Sequence, residues 1–384
     1  MAEQGTIAVI GAGVIGSAIA CALAQEGRDV VLIDRAPPGE GGASFGNAGH
    51  IATELVEPLP SRGLLFGFWR ELFAFDGVLD IPARRLGAFL PWAARFGHAA
   101  FRRGQNTAHL APFVRAAVPA LVGMLREIGR MDLLRQHGHY ELWLGGDVAR
   151  RARTQALAME KLEVPTQPAP HELVESARLA ASANTAAGLY FPQCAHVLDP
   201  LEVVRAFAAA ATQRGARFLR REVRELRATA AGVQVITASE TIAARSAIVC
   251  LGAWSAPLLA PFGLKAPLES ARGYHVQMPG ATPLVDAPVL YCDAKILVTP
   301  MTGRVRATSF MEFAGPDAPP DPRKPAWLRN RLRTLGYHCD DAVPSWVGPR
   351  PVLPDYLPAM AGSPRRATCY MRSGISTSGS PCAP

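Results

Sequence analysis

The chain has 384 residues and a mass of 40.9 kDa, too long for one small core and suited to two domains of ordinary size. Apolar residues make up 49% and charged residues 19%, a globular composition that excludes bulk disorder. The net charge of +8 comes from scattered arginines, which argues against a nucleic-acid partner, and seven widely spaced cysteines without a C-x-x-C pair argue against a disulfide framework or a zinc site.

The first predicted element is a strand over 6–10, short, β-branched and apolar, which leaves no room ahead of it for a secretory leader; the expected setting is a reducing cytoplasm. It runs straight into Gly11-Ala-Gly13-Val14-Ile15-Gly16, after which residues 17–25 have helix-forming composition and apolar spacing. A second strand over 29–33 ends in Asp34-Arg35. Gly11 permits the tight turn, Gly13 lets a pyrophosphate approach the backbone, and Gly16 lets the helix pack close on the strand. The start of the helix, at Val14 and Ile15, offers N–H groups to an anion, and the carboxylate of Asp34 is placed for the ribose hydroxyls of an adenosine. NAD and FAD both remain open at this point.

The next stretch is Gly42-Ala43-Ser44-Phe-Gly-Asn47-Ala48-Gly49-His50-Ile51. It resembles the G-A-S-x-x-N-A-G-x-I segment of the D-amino-acid dehydrogenase and glycine/sarcosine oxidase family, which follows the ribose-binding acid and wraps the flavin. Small residues suit a backbone that lies against a flat ring. The resemblance implies FAD as cofactor, with Ala43, Ser44, Asn47, Ala48 and Gly49 beside it. His50 has two readings, a base or redox tuner and a packing or hydrogen-bonding residue.

From 59 to 101 the chain is aromatic and apolar between arginines, densest at Leu64–Trp69 and Phe89–Trp92. Helices packing over the substrate domain are the plainer reading; a surface that touches a membrane, where quinone accepts electrons, is the sharper one. Helices are predicted over 112–128 and 147–161, with a strand over 140–144 between them. No apolar run reaches the roughly 18 residues that span a bilayer. A helix from Pro200 to about Arg214 and strands over 216–219, 233–236 and 247–251 follow, the last breaking at Gly252. In the family the residue at Val223 pairs its backbone with adenine, and the strand entering Gly252 returns under FAD. Further strands cover 272–278, 291–299 and 304–309.

Gly348-Pro-Arg350-Pro-Val-Leu-Pro354-Asp355-Tyr-Leu-Pro358 resembles the family's G-x-R-P-x-x-P-D-x-x-P element, whose arginine grips the substrate carboxylate. A planar guanidinium meets both carboxylate oxygens and stays charged at any working pH. Tyr274, at the family's R-G-Y position, either hydrogen-bonds the same carboxylate or packs. The resemblance thus implies an α/β chain with an α+β second domain: a Rossmann-type FAD-binding domain (1–58, 196–265, 345–384) interleaved with an antiparallel-sheet substrate domain (59–195, 266–344). The implied substrate is a small D-amino acid, cis-4-hydroxy-D-proline by the wording of Gly46–Glu54, with quinone or oxygen as acceptor.

After Pro364 the family continues into a strand, then G-H-x-x-L-G and a helix. Residues 369–382 show no apolar period of that kind. Read one base out of phase from the last base of Thr368, permitted codons spell L-L-Y-A-F-G-H-Q-H-L-G-L-T-L, the segment expected there. A frameshift between about Pro364 and Thr368 is the expectation this raises.

Overall fold

The computed structural model describes residues 5–362 and the backbone of 369–373, and divides the chain into two compact units. The first takes the residues up to Gly46, then Pro200–Ala271 and the segment from Gly348; the second takes Asn47–Asp199 and Arg272–Val347.

The first unit is built on β1 (Ile7–Ile10), α1 (Val14–Gln25) and β2 (Val30–Asp34). β1 is buried along its whole length and β2 along all but Asp34, as strands of a sheet covered on both faces must be. Its sheet runs in the order Arg217–Arg220, β2, β1, Ser246–Val249, Cys369–Ser373, Ala359–Gly362. The first five strands are parallel to one another and the last is antiparallel. Helix Pro200–Gln213 packs on α1, whose buried positions are the small Gly16, Ser17, Ala20, Cys21 and Ala24. A three-stranded antiparallel sheet, Val223–Thr229, Gly232–Thr237 and Thr241–Ala244, sets Leu226, Val233 and Val235 against Ala8, Ile10 and Val31 of the central sheet.

The second unit carries a nine-stranded sheet in which Glu269–Pro279, Arg304–Glu312, Ile296–Met301 and Val289–Tyr291 are consecutive neighbours. His139–Leu144 joins it parallel to Val289–Tyr291, and Ala186–Phe191 continues antiparallel. A small sheet of His50–Ile51, Ala195–Val197 and Leu134–Arg135 places His50 opposite His196. Helices Arg62–Gly67 and Leu86–Ala100 lie in the aromatic stretch read as packing helices, and His171–Ala180 and Arg323–Thr334 were not predicted.

The aromatic stretch divides into a buried and an exposed part. Phe89 and Trp92 are buried, stacked at 5.2 Å and packed on Phe313. Phe66, Phe68, Trp69 and Phe75 stand exposed, Phe66 at 78%. The helix predicted from 112 begins at Arg103 instead and runs to Glu127, carrying Pro112 and Pro119 within it. By length and composition this helix is long and apolar enough to cross a membrane, with a window of mean hydropathy 1.5. That corrects the expectation of no such segment: strictly apolar runs are short, but alanines among leucine and valine raise the average. Leu110, Val114, Val118 and Leu125 of the helix are buried, the stripe of a helix packed on a core.

Candidate active site

In the first unit, β1 ends in Gly11 at φ +105°, where a side chain would collide with the backbone of Cys250. A Cβ at Gly16 would collide with the Gly11 carbonyl, so this glycine sets the approach of α1 to the strand. Gly13 differs: a Cβ there would meet only Ser44 Oγ, at 3.1 Å, and the space over its backbone is open. α1 has no side-chain cap at Gly13 and no acidic residue in its first turn, while Val14 N–H donates to Ser44 Oγ at 3.0 Å. An anion at that end meets the N–H of Ile15, with no acidic residue in the first turn, beside a Val14 N–H held by Ser44.

Asp34 ends β2 with Oδ2 accepting from Ala12 N at 2.7 Å and Oδ1 from Ala36 N at 3.0 Å. Each oxygen keeps a second lone-pair site, and the carboxylate lies at the turn that holds Gly11 and Gly13. Arg35 stacks its guanidinium over Trp254, 4.6 Å from the ring centroid, and Trp254 in turn approaches the Cβ position of Gly42. Ala43 is half-buried. Gly252 sits at φ +57° beyond the strand that follows β1 in the sheet, facing only the Pro351 ring. Val223 opens its strand opposite Thr237, and a register shift between Val223 and Glu225 interrupts the ladder there. Arg350 is buried, 6% exposed, with Nε donating to the Ala271 carbonyl at 3.0 Å; burial lowers its guanidinium from the usual value.

In the second unit the carbonyl of Asn47 accepts from Arg306 Nη1 at 2.6 Å, and Asn47 Oδ1 accepts from Gly49 N at 2.8 Å. Gly49, at φ +69°, brings its backbone close under the Val197 carbonyl, and Ala48 is fully buried. Arg306 holds this segment, yet nothing local in the sequence marks it: it stands 259 residues from Asn47.

His50 is buried and hydrogen-bonded. Its Nε2 lies 2.9 Å from Glu54 Oε1 and its ring lies on His139, centroids 4.4 Å apart. Burial would raise the Glu54 carboxyl, but the His50 imidazole beside it holds it down at about 2, with lesser contributions from His139 and Cys194. Burial, then the neighbouring His50, lowers His139 to about 3.

The Tyr274 hydroxyl has three protein partners. It donates to Glu312 Oε2 at 3.0 Å and accepts from Arg272 Nη2 at 3.1 Å and from Asp321 N at 3.0 Å. One donor and two acceptor sites are then filled, and the residue is 1% exposed. It belongs to a buried network in which Lys324 bonds Asp80, Glu312 and Asp321.

The open backbone at Gly13, the uncapped helix start and the two oxygens of Asp34 fit the diphosphate and ribose of FAD. Comparison with known proteins agrees. A family model described as FAD dependent oxidoreductase matches residues 6–384. The chain is 28% identical to a D-amino-acid oxidase of Bradyrhizobium diazoefficiens, over 94% of this chain and 88% of that protein. It is 29% identical to a D-amino acid dehydrogenase of Paramagnetospirillum magneticum, over 97% and 91%. In fold it is similar to the crystal structure of glycine oxidase from Geobacillus kaustophilus, with a TM-score of 0.69 and 23% identity over 96% of this chain and 89% of the other.

Proposed function

The chain belongs to the FAD dependent oxidoreductase family, and on that premise we propose that it oxidises the Cα–N bond of a small D-amino acid. FAD, when bound, supplies the acceptor for the hydrogen that leaves Cα as hydride. The chain's own part is binding and orientation. Gly13, the first turn of α1, Asp34 and Ser44 hold the dinucleotide end; Gly252 and the Val223 backbone lie on the same unit for the rest of the cofactor. Arg350 carries the reading of the substrate. A guanidinium so deeply buried, its plane fixed through Nε on the Ala271 carbonyl, suits a ligand with two coplanar oxygens. Hydride removal needs alignment at about 3–3.5 Å more than it needs a base.

The exposed Phe66, Phe68, Trp69 and Phe75, close in sequence to Arg62 and Arg70, favour a quinone at an anionic membrane surface over oxygen as acceptor. The motif wording keeps cis-4-hydroxy-D-proline as the first substrate to try. The tail from 363 on is proposed to carry a shifted reading frame; apart from the Cys369–Ser373 backbone it lies outside the described residues.

One experiment tests the reading. FAD-loaded protein is mixed anaerobically with D-amino acids, cis-4-hydroxy-D-proline, glycine and sarcosine, and the visible flavin band is followed. Bleaching by a D-amino acid, slow recovery in air and fast recovery with a soluble quinone are expected. Arg350→Lys should raise KM at least about tenfold with FAD content unchanged, because an ammonium cannot make the bidentate pair. A band that no amino acid bleaches overturns the proposal, and fast recovery in air replaces the dehydrogenase by an oxidase.

A further inference from the structure

The second unit contains a cluster that amino-acid oxidation leaves unused: His50, Glu54, His139 and Cys194, all buried, His139 and Cys194 at 1%. The donor atoms of His50, Glu54 and Cys194 lie within 4.8 Å of one another. Cys194 Sγ is 3.0 Å from Glu54 Oε2, and His50 Nε2 is 2.9 Å from Glu54 Oε1.

His139 supplies an independent observation. Its Nδ1 lies 3.2 Å from the carbonyl oxygen of Pro288, and since a carbonyl only accepts, Nδ1 carries the hydrogen. In the neutral ring Nε2 then bears a lone pair. That Nε2 has no hydrogen-bond partner and stands 3.9 Å from Glu54 Oε1. A lone pair facing a carboxylate oxygen in a buried interior is unfavourable unless a cation or a donor lies between them. An imidazole pinned through one nitrogen on a backbone carbonyl, with the other bare, is how metal-binding histidines are oriented.

We propose that His50, Glu54, His139 and Cys194 form a buried site for a zinc-class divalent ion within the second unit. A thiolate, a carboxylate and two neutral imidazoles make a four-donor set of mixed N, O and S, which suits tetrahedral zinc. The two negative ligands balance the charge of the ion, so the filled site adds no net charge to the core. On binding, the Cys194 thiol releases its proton and His50 turns to the tautomer with hydrogen on Nδ1, an atom that has no partner otherwise. The ion ties the His50–Ile51 strand to residues on its neighbours, adding to its pairing with Ala195–Val197. The sequence spacing argued against zinc because these donors come from three separate segments.

The test uses the full chain, purified without a metal-affinity column, stripped with chelator, dialysed against zinc chloride and desalted. Mass spectrometry of the metal content should find about one zinc per chain, and zinc X-ray absorption should show one sulfur and three nitrogen or oxygen neighbours. Cys194→Ser and His139→Gln should each retain at least about tenfold less zinc. Retention far below one ion per chain in the unsubstituted protein, or a bound ion with no sulfur neighbour, overturns the proposal. If a variant fails to fold, the absorption spectrum of the unsubstituted protein still decides.

Discussion

Gly13 leaves open the space that Gly11 and Gly16 fill with backbone, and the three glycines should answer substitution differently. A side chain at Gly13 meets only Ser44 Oγ and then projects over the helix start where the diphosphate belongs. Gly13→Val is expected to weaken FAD binding by at least about a hundredfold, roughly 2.7 kcal/mol, while leaving the melting temperature of the FAD-free chain within a few degrees. Gly16→Ala collides with the Gly11 carbonyl and should lower that temperature by several degrees, the effect of about 1–3 kcal/mol of overpacking. Flavin titration and calorimetry on both variants check this; equal loss of stability would show that Gly13 too is a packing glycine. These residues were legible in the sequence because their constraints are local, set within the span from Gly11 to Ser44. Tyr274 was not. Its hydroxyl partners Glu312 and Asp321 stand 38 and 47 residues away, and only the fold shows the network they form.

Among elements, the helix Arg323–Thr334 is joined to its sheet through a charge. Lys324 is fully buried and reaches Asp80 at 2.6 Å, Glu312 at 2.7 Å and Asp321 at 3.1 Å. Burial opposes its charge, but the hydrogen bonds to Asp80 and Glu312 leave the ammonium above its ordinary value. A raised cation stabilises fully below its unfolded value of 10.5 and loses that contribution as pH rises through the folded value. Hydrogen bonds from Arg323 hold Asp321 well below the usual carboxylate range. A depressed carboxylate stabilises above its unfolded value of 3.8 and loses its contribution as pH falls toward the folded one. The network is therefore strongest between those limits. Lys324→Met should cost about 3–5 kcal/mol near neutrality by stranding buried carboxylates. The gap in melting temperature from the unsubstituted protein should narrow toward low pH, as the carboxylates protonate, and above pH 10.5, as pH rises toward the raised folded value of Lys324. A gap independent of pH would mean that only packing was lost. The same scale shows what periodicity could and could not tell. The strands around β1 and β2 were plain from β-branched runs, whereas Pro112 concealed the first turns of Arg103–Glu127, since a proline is read as a helix start and here lies inside one.

Over the whole molecule the two units draw on alternating stretches of chain, and sequence alone revealed this only through a resemblance, because no linker composition marks where the chain passes between them. The tail is the part where order along the chain matters most. The backbone of Cys369–Ser373 adds a strand beside Ser246–Val249, parallel to it. What the family places next is G-H-x-x-L-G and a helix, and the residues at 374–384 do not spell it. A helix N-terminus toward the flavin pyrimidine carbonyl stabilises the charge there by up to about 2 kcal/mol, and the same helix covers apolar surface. The chain with the shifted frame restored should therefore bind FAD at least about tenfold more tightly than the chain as written, by flavin titration, and resist aggregation better. Sequencing the gene from Pro364 decides whether the shift exists, and titration decides whether it matters. Equal affinity in the two chains would leave the FAD cradle complete within residues 5–362, with the tail dispensable to it.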